Sequence, residues 1–518
     1  MASEAAPAAV PAGGLQRRIG RFVVRHWPLC ALLVVAVMAC NVFIRLGALP
    51  VNDSDEARYG VSAFEMLRRH SFLVTTYALR PEYWNLKPPL GYWLIALSYR
   101  LLGAGPFSLR LPSALSGIAA VGLTIFASRR WLGRRESILA GLVLASGFGF
   151  LSHHGVRSGD LDAALTLLVL LAALQVPRFA ERPWRVVAFG ALLSLGFLLK
   201  SFAILPIVIV TALYLAWTGE WRTLRWGPCL LALLTFALPV ATWAGLRWRA
   251  DGSPMFLERM VSEDLMARST RVIDKVSYHP YSYAIAIFDR FAPWPLLVLL
   301  VFALAWFLRH RREPTRFRWL RPQGALLLLL LWALVPLVLF SIAKTHHHWY
   351  LDPTYPAWAM LTAAAILQLL EWTRPAWRNA ALVACVALPL LACELRLAYR
   401  VAHDGRHCRE QLALVHLKDR RAQLGTRLRT PPLRHSERFI LEAMDGFDVD
   451  EIADAKQAPS AWPSLIKAEE ALGATMISSS SEVGRATKRK DHADDRRAVA
   501  GRAGTGSGGD APRAGARP

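Results

Sequence analysis

Long apolar runs recur from residue 27 almost to residue 400. Most approach the roughly 20 residues that an α-helix needs to cross a hydrocarbon core, where each backbone N–H and C=O must find its partner within the chain. A chain so built is an all-α polytopic membrane protein. The 54% hydrophobic content and mean hydropathy of +0.30 agree with that class. The pattern predicts about eleven spans, over 27–49, 108–128, 136–152, 161–176, 186–199, 202–217, 228–246, 291–308, 324–343, 353–370 and 379–395. Twelve or thirteen result if short stretches such as 90–102 cross as well, although 90–102 reads equally as a shallow amphipathic helix. Residues 1–26 form an amino-terminal segment, 27–400 the membrane domain, 401–480 a small extramembrane tail and 481–518 a Gly-, Ala-, Ser- and Arg-rich end of disordered composition.

The net charge of +23 would suggest nucleic acid in a soluble domain. Here the basic residues gather in short loops, as cytoplasmic loops require, and no nucleic-acid partner is expected. Arg17, Arg18, Arg21 and Arg25, then Arg129, Arg130, Arg134 and Arg135, then Arg178, Arg182 and Arg185, then Arg222 and Arg225, then Arg309 to Arg321 fall on one side of the predicted topology. The run after the first group is too long for a cleaved signal peptide, so it reads as an uncleaved first span with a cytoplasmic amino terminus. Eleven spans put the tail outside, although Arg396, Arg400, Arg406 and Arg409 follow the last one directly. The six cysteines form no CxxC pair, so neither a disulfide framework nor a zinc site is indicated.

The opposite side receives the loops that carry chemistry. The first, residues 51–107, holds Asp53, Asp55, Glu56, Arg58, Tyr59, Glu82, Tyr83, Trp84 and Lys87 between two apolar segments. Adjacent carboxylates, cations and aromatics at a lipid boundary suit an anionic substrate and acid/base work. By spacing alone, Asp55 and Glu56 fit equally well at the start of a surface helix capped by Ser54 or Asp55. Pro88 and Pro89 stiffen the backbone behind Lys87. In RSGDLDAALTLL, Asp160 has the position of a helix cap, whereas Asp162 lies deeper and calls for a cavity or a partner. Lys200, between two apolar runs, either snorkels to the interface or meets an anion. KTHHHWYLDP supplies Lys344, His346, His347, His348, Trp349, Tyr350 and Asp352. Three consecutive histidines point in different directions and make a poor metal site by themselves. The loop over 255–275 adds Glu258, Glu263 and Asp264 near Arg268 and Arg271.

The segments DSDEARYG, KPPLGYWLIALSYRLLG, GDLDAALTLL, GFLLKSFAILP, FAPWPLLVLL and KTHHHWYLDPTYPAWAML stand in the order seen in membrane glycosyltransferases of the GT-C superfamily. The chain resembles most the bacterial branch related to protein O-mannosyltransferases and the lipid A aminoarabinose transferases, over about residues 27–400. The resemblance implies a GT-C bundle with a large first outer loop carrying amphipathic helices. It also implies transfer of a sugar from a polyprenyl-phosphate donor to a lipid, glycan or protein acceptor, outside the cytoplasmic membrane. Asp55 would be the catalytic base, supported by Glu56, with Asp162 as a second acidic position. Arg58, Lys87 and Lys200 would bind the donor phosphate, and Tyr59, Tyr83, Tyr350 and His348 would line the substrate groove. A divalent metal would involve Glu263 and Asp264, but the chain departs from the pattern there: Leu86 stands where the aminoarabinose transferases have a glutamate, and Asp264 where they have a histidine. A transporter or flippase of a lipid-linked saccharide is the alternative, against which no matching halves are visible. The helical segment after residue 430 loosely resembles the helix-turn-helix of sigma factors, lacks a basic recognition helix, and reads better as an extramembrane cap.

Overall fold

The computed structural model describes residues 14–152, 154–272, 279, 281–307, 323–373, 377–403, 409–430 and 432–451. Helices dominate, and each of the eleven apolar segments carries one. In chain order they include α1 (Gly14–Arg25), α2 (Trp27–Phe43), α3 (Asp55–Arg69), α4 (Leu90–Leu102), α5 (Pro106–Trp131), α6 (Arg134–Ala145), α7 (Phe148–Leu151), α8 (Asp162–Ala173), α9 (Arg185–Lys200), α10 (Leu205–Thr218) and α11 (Trp226–Asp251). Then follow α12 (Met255–Arg259), continued by the π-helical turn Met260–Ala267, and α13 (Arg268–Thr270), α14 (Ser282–Phe291), α15 (Trp294–Phe307), α16 (Gly324–Ile342) and α17 (Tyr355–Trp372). Last come α18 (Arg378–Leu382), which runs through the π-helical turn Val383–Ala387 into α19 (Leu388–His403), then α20 (Arg409–Val415), α21 (Arg421–Leu424) and α22 (His435–Arg438).

Among the described residues, five helical runs are long and apolar enough to cross a membrane: Pro106–Trp131, Arg185–Thr218, Trp226–Asp251, Gly324–Ile342 and Arg378–His403. Two bent pairs, α1 with α2 at 89° and α14 with α15 at 111°, raise the number to seven. The difference from eleven has a physical origin. Helices α6 and α8 have only 12 residues each, about 18 Å at 1.5 Å per residue. With α17 they are largely buried against neighbouring helices, so their apolar character serves helix packing. The run Arg185–Thr218 divides at Lys200. Ser201 takes a left-handed φ of 47°, and Glu181 before α9 is close enough to Glu220 after α10 to add to the burial that raises its carboxyl pKa, so the chain goes out and returns to the same end.

That end gathers the basic loops. Arg134 donates to the Val24 carbonyl at 3.0 Å, the Arg129 guanidinium lies 4.2 Å from the Trp27 ring centre, and Arg178 lies within electrostatic range of Arg130, Arg182 and Arg185. The loop over 309–321 lies outside the described residues. The opposite end gathers the first loop, the 152–161 loop, the Lys200 turn, the 252–272 segment and the 343–354 segment, which bond to one another.

The tail divides. Residues up to Leu412 and Arg434–Asp445 belong with the bundle, while 413–433 and 446–451 belong to a second unit. In the second unit a parallel pair, Arg427–Thr430 with Asp448–Glu451, aligns Arg427 with Asp448. The remaining tail, from residue 452, lies outside the described residues.

Candidate active site

Helix α3 begins the site. Its first turn carries Asp55 and Glu56 and its last Arg68 and Arg69, the order that favours the helix dipole. Ser54 occupies the N-cap position but makes no side-chain cap bond, and Asp55 is the first helical residue, so neither acts as the expected cap. The two carboxylates part ways here. Asp55 stays partly exposed and pairs with Arg58 at 2.7 Å. Glu56 is wholly buried and accepts from Arg110 Nε at 2.6 Å, from the backbone and side-chain nitrogens of Asn52 at 2.8 and 2.7 Å, and from the Gly159 N–H at 3.0 Å. Arg110 in turn donates to the carbonyls of Leu46, Ala48 and Pro50. Glu56 therefore ties the first loop, α5 and the 152–161 loop together and turns Asp55 toward that loop. The sequence reading missed Arg110, although an arginine inside the apolar segment SLRLPSAL was its signal.

His154 and Asp160 face Asp55 across this junction. The imidazole Nδ1 lies 3.2 Å from Asp160, and the ring stacks on Trp349 at 3.7 Å between centres. Burial pushes the His154 imidazole down, but Asp160, with Asp162 and Asp55, more than offsets this and holds its pKa above the usual value. Single ligand atoms of Asp55, His154 and Asp160 lie within 4.8 Å of one another, a donor set that fits a divalent cation. The expected metal pair does not converge. Glu263 is half-exposed and pairs with Arg259, while Asp264 is taken up by Lys87 at 2.5 Å, Arg268 at 3.0 Å and Ser201 at 3.1 Å. Leu86, where the resemblance called for a glutamate, is buried with Trp243, Phe256 and Met260. An apolar contact and an ion pair thus occupy the place where a metal-holding pair was expected.

Lys87 and Lys200 line one cavity of about 310 Å³. Lys200 Nζ lies 2.6 Å from both carboxylate oxygens of Asp162, so Lys200 does not snorkel, and Asp162 meets the partner its depth demanded. Burial would raise the Asp264 carboxyl, but Lys87 and Arg268 hold it below the usual carboxylate range. Tyr350 lines the same cavity and accepts from Arg268 at 3.3 Å. The rest of the wall is largely apolar, with Leu165, Val169, Phe202, Trp332 and Phe340. Other expected groove residues lie elsewhere. Tyr59 is buried edge-on against Tyr92, Tyr83 packs on the Leu86 cluster, and the His348 ring is 6.4 Å from that of His154. Arg58, expected at the donor phosphate, lies 4.8 Å from the Trp84 ring centre while holding Asp55.

The family model for dolichyl-phosphate-mannose-protein mannosyltransferases matches residues 86–244, the stretch that supplies Lys87, Asp162 and Lys200. Superposition on the crystal structure of ArnT from Cupriavidus metallidurans bound to undecaprenyl phosphate gives a TM-score of 0.63 at 19% identity, covering 85% of this chain and 90% of that one. The chain shares the fold of that ArnT. Among curated relatives, the undecaprenyl phosphate-alpha-4-amino-4-deoxy-L-arabinose arabinosyl transferase of Aeromonas salmonicida is 30% identical over 62% of this chain and 57% of its own length. The enzyme of the same name from Pectobacterium carotovorum is 29% identical over 68% of this chain and 63% of its own. The chain thus spans about three fifths of the length of these relatives.

Proposed function

We propose that this protein is a GT-C glycosyltransferase that transfers a sugar from a polyprenyl-phosphate donor to a lipid, glycan or protein acceptor, at the outer face of the cytoplasmic membrane. One observation carries the reading: a single cavity joins two lysine–carboxylate pairs, Lys87–Asp264 and Lys200–Asp162, to an apolar wall, with Asp55 at the same end of the bundle. Such a cavity suits a phosphate whose attached chain must stay out of water. In the reaction Asp55 takes the proton of the acceptor hydroxyl as that oxygen bonds to the anomeric carbon. The bond from that carbon to the phosphate oxygen breaks, and its electron pair leaves with the polyprenyl phosphate. Lys87, Lys200 and Arg268 oppose the charge that develops there, and fixed cations in a site of low dielectric do so most strongly. Arg58, paired with Asp55 at 2.7 Å, keeps the carboxylate oriented. The gathering of the basic loops at the opposite end supports an outward-facing site. The named relatives are transferases, which favours this reading over a transporter.

The test uses purified protein in detergent with radiolabelled polyprenyl-phosphate sugars and membrane extract as acceptor. Wild type is expected to move label, and Asp55→Asn to lose on the order of 10²–10⁴-fold in rate while remaining folded in the membrane. Equal turnover by the two proteins would remove Asp55 as the base. Binding of the donors without transfer of any sugar would overturn the enzymatic reading.

A further inference from the structure

The end of the bundle that gathers the basic loops carries a helix with no part in the cavity of Lys87 and Lys200. Helix α1 has 12 residues and meets α2 at 89°. By itself α2 has 17 residues, about 25 Å at 1.5 Å per residue, which suffices for a span. A helix at right angles to a span runs along the membrane surface. The corner between them is fixed at that level: Trp27 Nε1 donates to Ser137 Oγ at 2.7 Å, and the Arg129 guanidinium covers the indole ring. Tryptophan at the end of a span marks the headgroup region.

Three faces of α1 differ in what they meet. Gly20 is buried, and a Cβ there would lie 2.7 Å from the guanidinium carbon of Arg135, so this face rests on α6. Ile19 and Phe22, at i and i+3, are 43% and 55% exposed, and Leu29, Leu32 and Leu33 continue the exposed apolar surface onto α2. Arg18, Arg21 and Arg25, at i, i+3 and i+7, share the remaining face and are exposed. Among the described residues, none of these three side chains makes a hydrogen bond or an ion pair. A short helix with an apolar face continuous with a span and a cationic face beside it suits the membrane interface. Its charge is complementary to acidic headgroups, to which each arginine at the surface adds attraction.

We propose that α1 lies in the headgroup plane on the side of the basic loops and binds anionic phospholipid there through Arg18, Arg21 and Arg25, with Ile19 and Phe22 set among the acyl chains. The surface is remote from the transfer cavity and does not depend on the proposed reaction. Hydrogen–deuterium exchange of the full-length protein tests it, in nanodiscs of phosphatidylcholine alone and of phosphatidylcholine mixed equally with phosphatidylglycerol. The amides of α1 are expected to exchange at least about tenfold more slowly in the mixture. The Arg18→Gln/Arg21→Gln/Arg25→Gln variant should lose that difference. The corresponding triple lysine variant should keep it, because attraction to a charged leaflet asks for charge rather than for the guanidinium fork. Should the glutamine variant fail to fold, high salt added to the wild type carries the test, since screening should erase the difference. Equal exchange in the two kinds of disc, or a difference that survives both the glutamine substitutions and high salt, would overturn the proposal. Inorganic phosphate that slows exchange in phosphatidylcholine discs as much as phosphatidylglycerol does would make the surface a free-anion site and overturn the lipid assignment.

Discussion

Lys87 joins parts of the chain 177 residues apart through its bond to Asp264. Its removal leaves Asp264 with Arg268, so the fold keeps a paired carboxylate while the cavity loses one of its cations. We expect Lys87→Ala to lower kcat/KM for the polyprenyl donor by the equivalent of about 2–4 kcal/mol with little loss of folded protein. Steady-state kinetics across donor concentrations check this, and an unchanged donor dependence would remove Lys87 from the site. Glu82, buried in the first loop, gives a second prediction. Burial raises its carboxyl to about 8 against the partial relief of the Ser62 hydroxyl and Arg58. A carboxyl with a raised folded pKa binds more protons when folded than when unfolded, so its contribution to stability is full below about 4.5 and is lost as pH rises to about 8. Thermal stability of the wild type should therefore fall over that window, and Glu82→Gln should remove most of that fall, on the order of a few kcal/mol. Parallel pH profiles of the two proteins would contradict a neutral Glu82.

At the scale of elements, α3 depends on a piece of the tail. The segment Arg434–Asp445, formed by α22 and the π-helical turn Phe439–Met444, packs along it. The Ser436 N–H donates to Asp53 at 2.8 Å, and the Tyr77 hydroxyl meets His435 Nδ1 at 2.5 Å. The His435 ring stacks on Trp84, which lies under Arg58. Burial, with Arg58 nearby, pushes the His435 imidazole below its usual pKa, which suits a neutral ring that accepts a hydrogen bond from the Tyr77 hydroxyl. Residues remote in sequence thereby brace the arginine that holds Asp55. Gly60 permits the approach, because a Cβ there would lie 2.7 Å from the Phe439 ring. Gly60→Ala should cost about 1–3 kcal/mol and speed amide exchange over 434–445; unchanged protection would mean that the ring moves aside freely. The apolar face of this segment is covered by α3, so it is not presented as a DNA-reading element.

For the whole molecule, the consequence is one of sides. The tail segment sits on the first loop, so the two share a membrane face, despite the arginines that follow α19. A cysteine at position 434 and one at position 80 should react alike with an impermeant maleimide added to intact cells, while one at position 182 should react only after permeabilisation. Opposite labelling of 434 and 80 would break the docking, and labelling of 182 in intact cells would invert the orientation. The same arrangement concentrates polar work at one end and leaves apolar side chains facing lipid along the middle, as a helical bundle in a bilayer requires.

Local patterning by itself determined the class of this protein and the positions of its helices, because an apolar run has to be helical to enter a membrane and basic loops have to stay on one side. It also marked Asp55, Asp162, Lys87 and Lys200 as unusual, since charges beside apolar runs need partners. Which partner each takes was beyond it. Asp55 and Glu56 are neighbours in the chain, yet only packing against Arg110 and Gly159 makes one a buried tie and leaves the other open. Asp264 and Lys87, like Asp162 and Lys200, meet across separate loops, and Tyr59 leaves the groove for the interior because Tyr92 covers it. Periodicity reports the face of a single element, whereas an ion pair or a metal-ligand set is a distance between elements, and that distance is settled only when the helices pack.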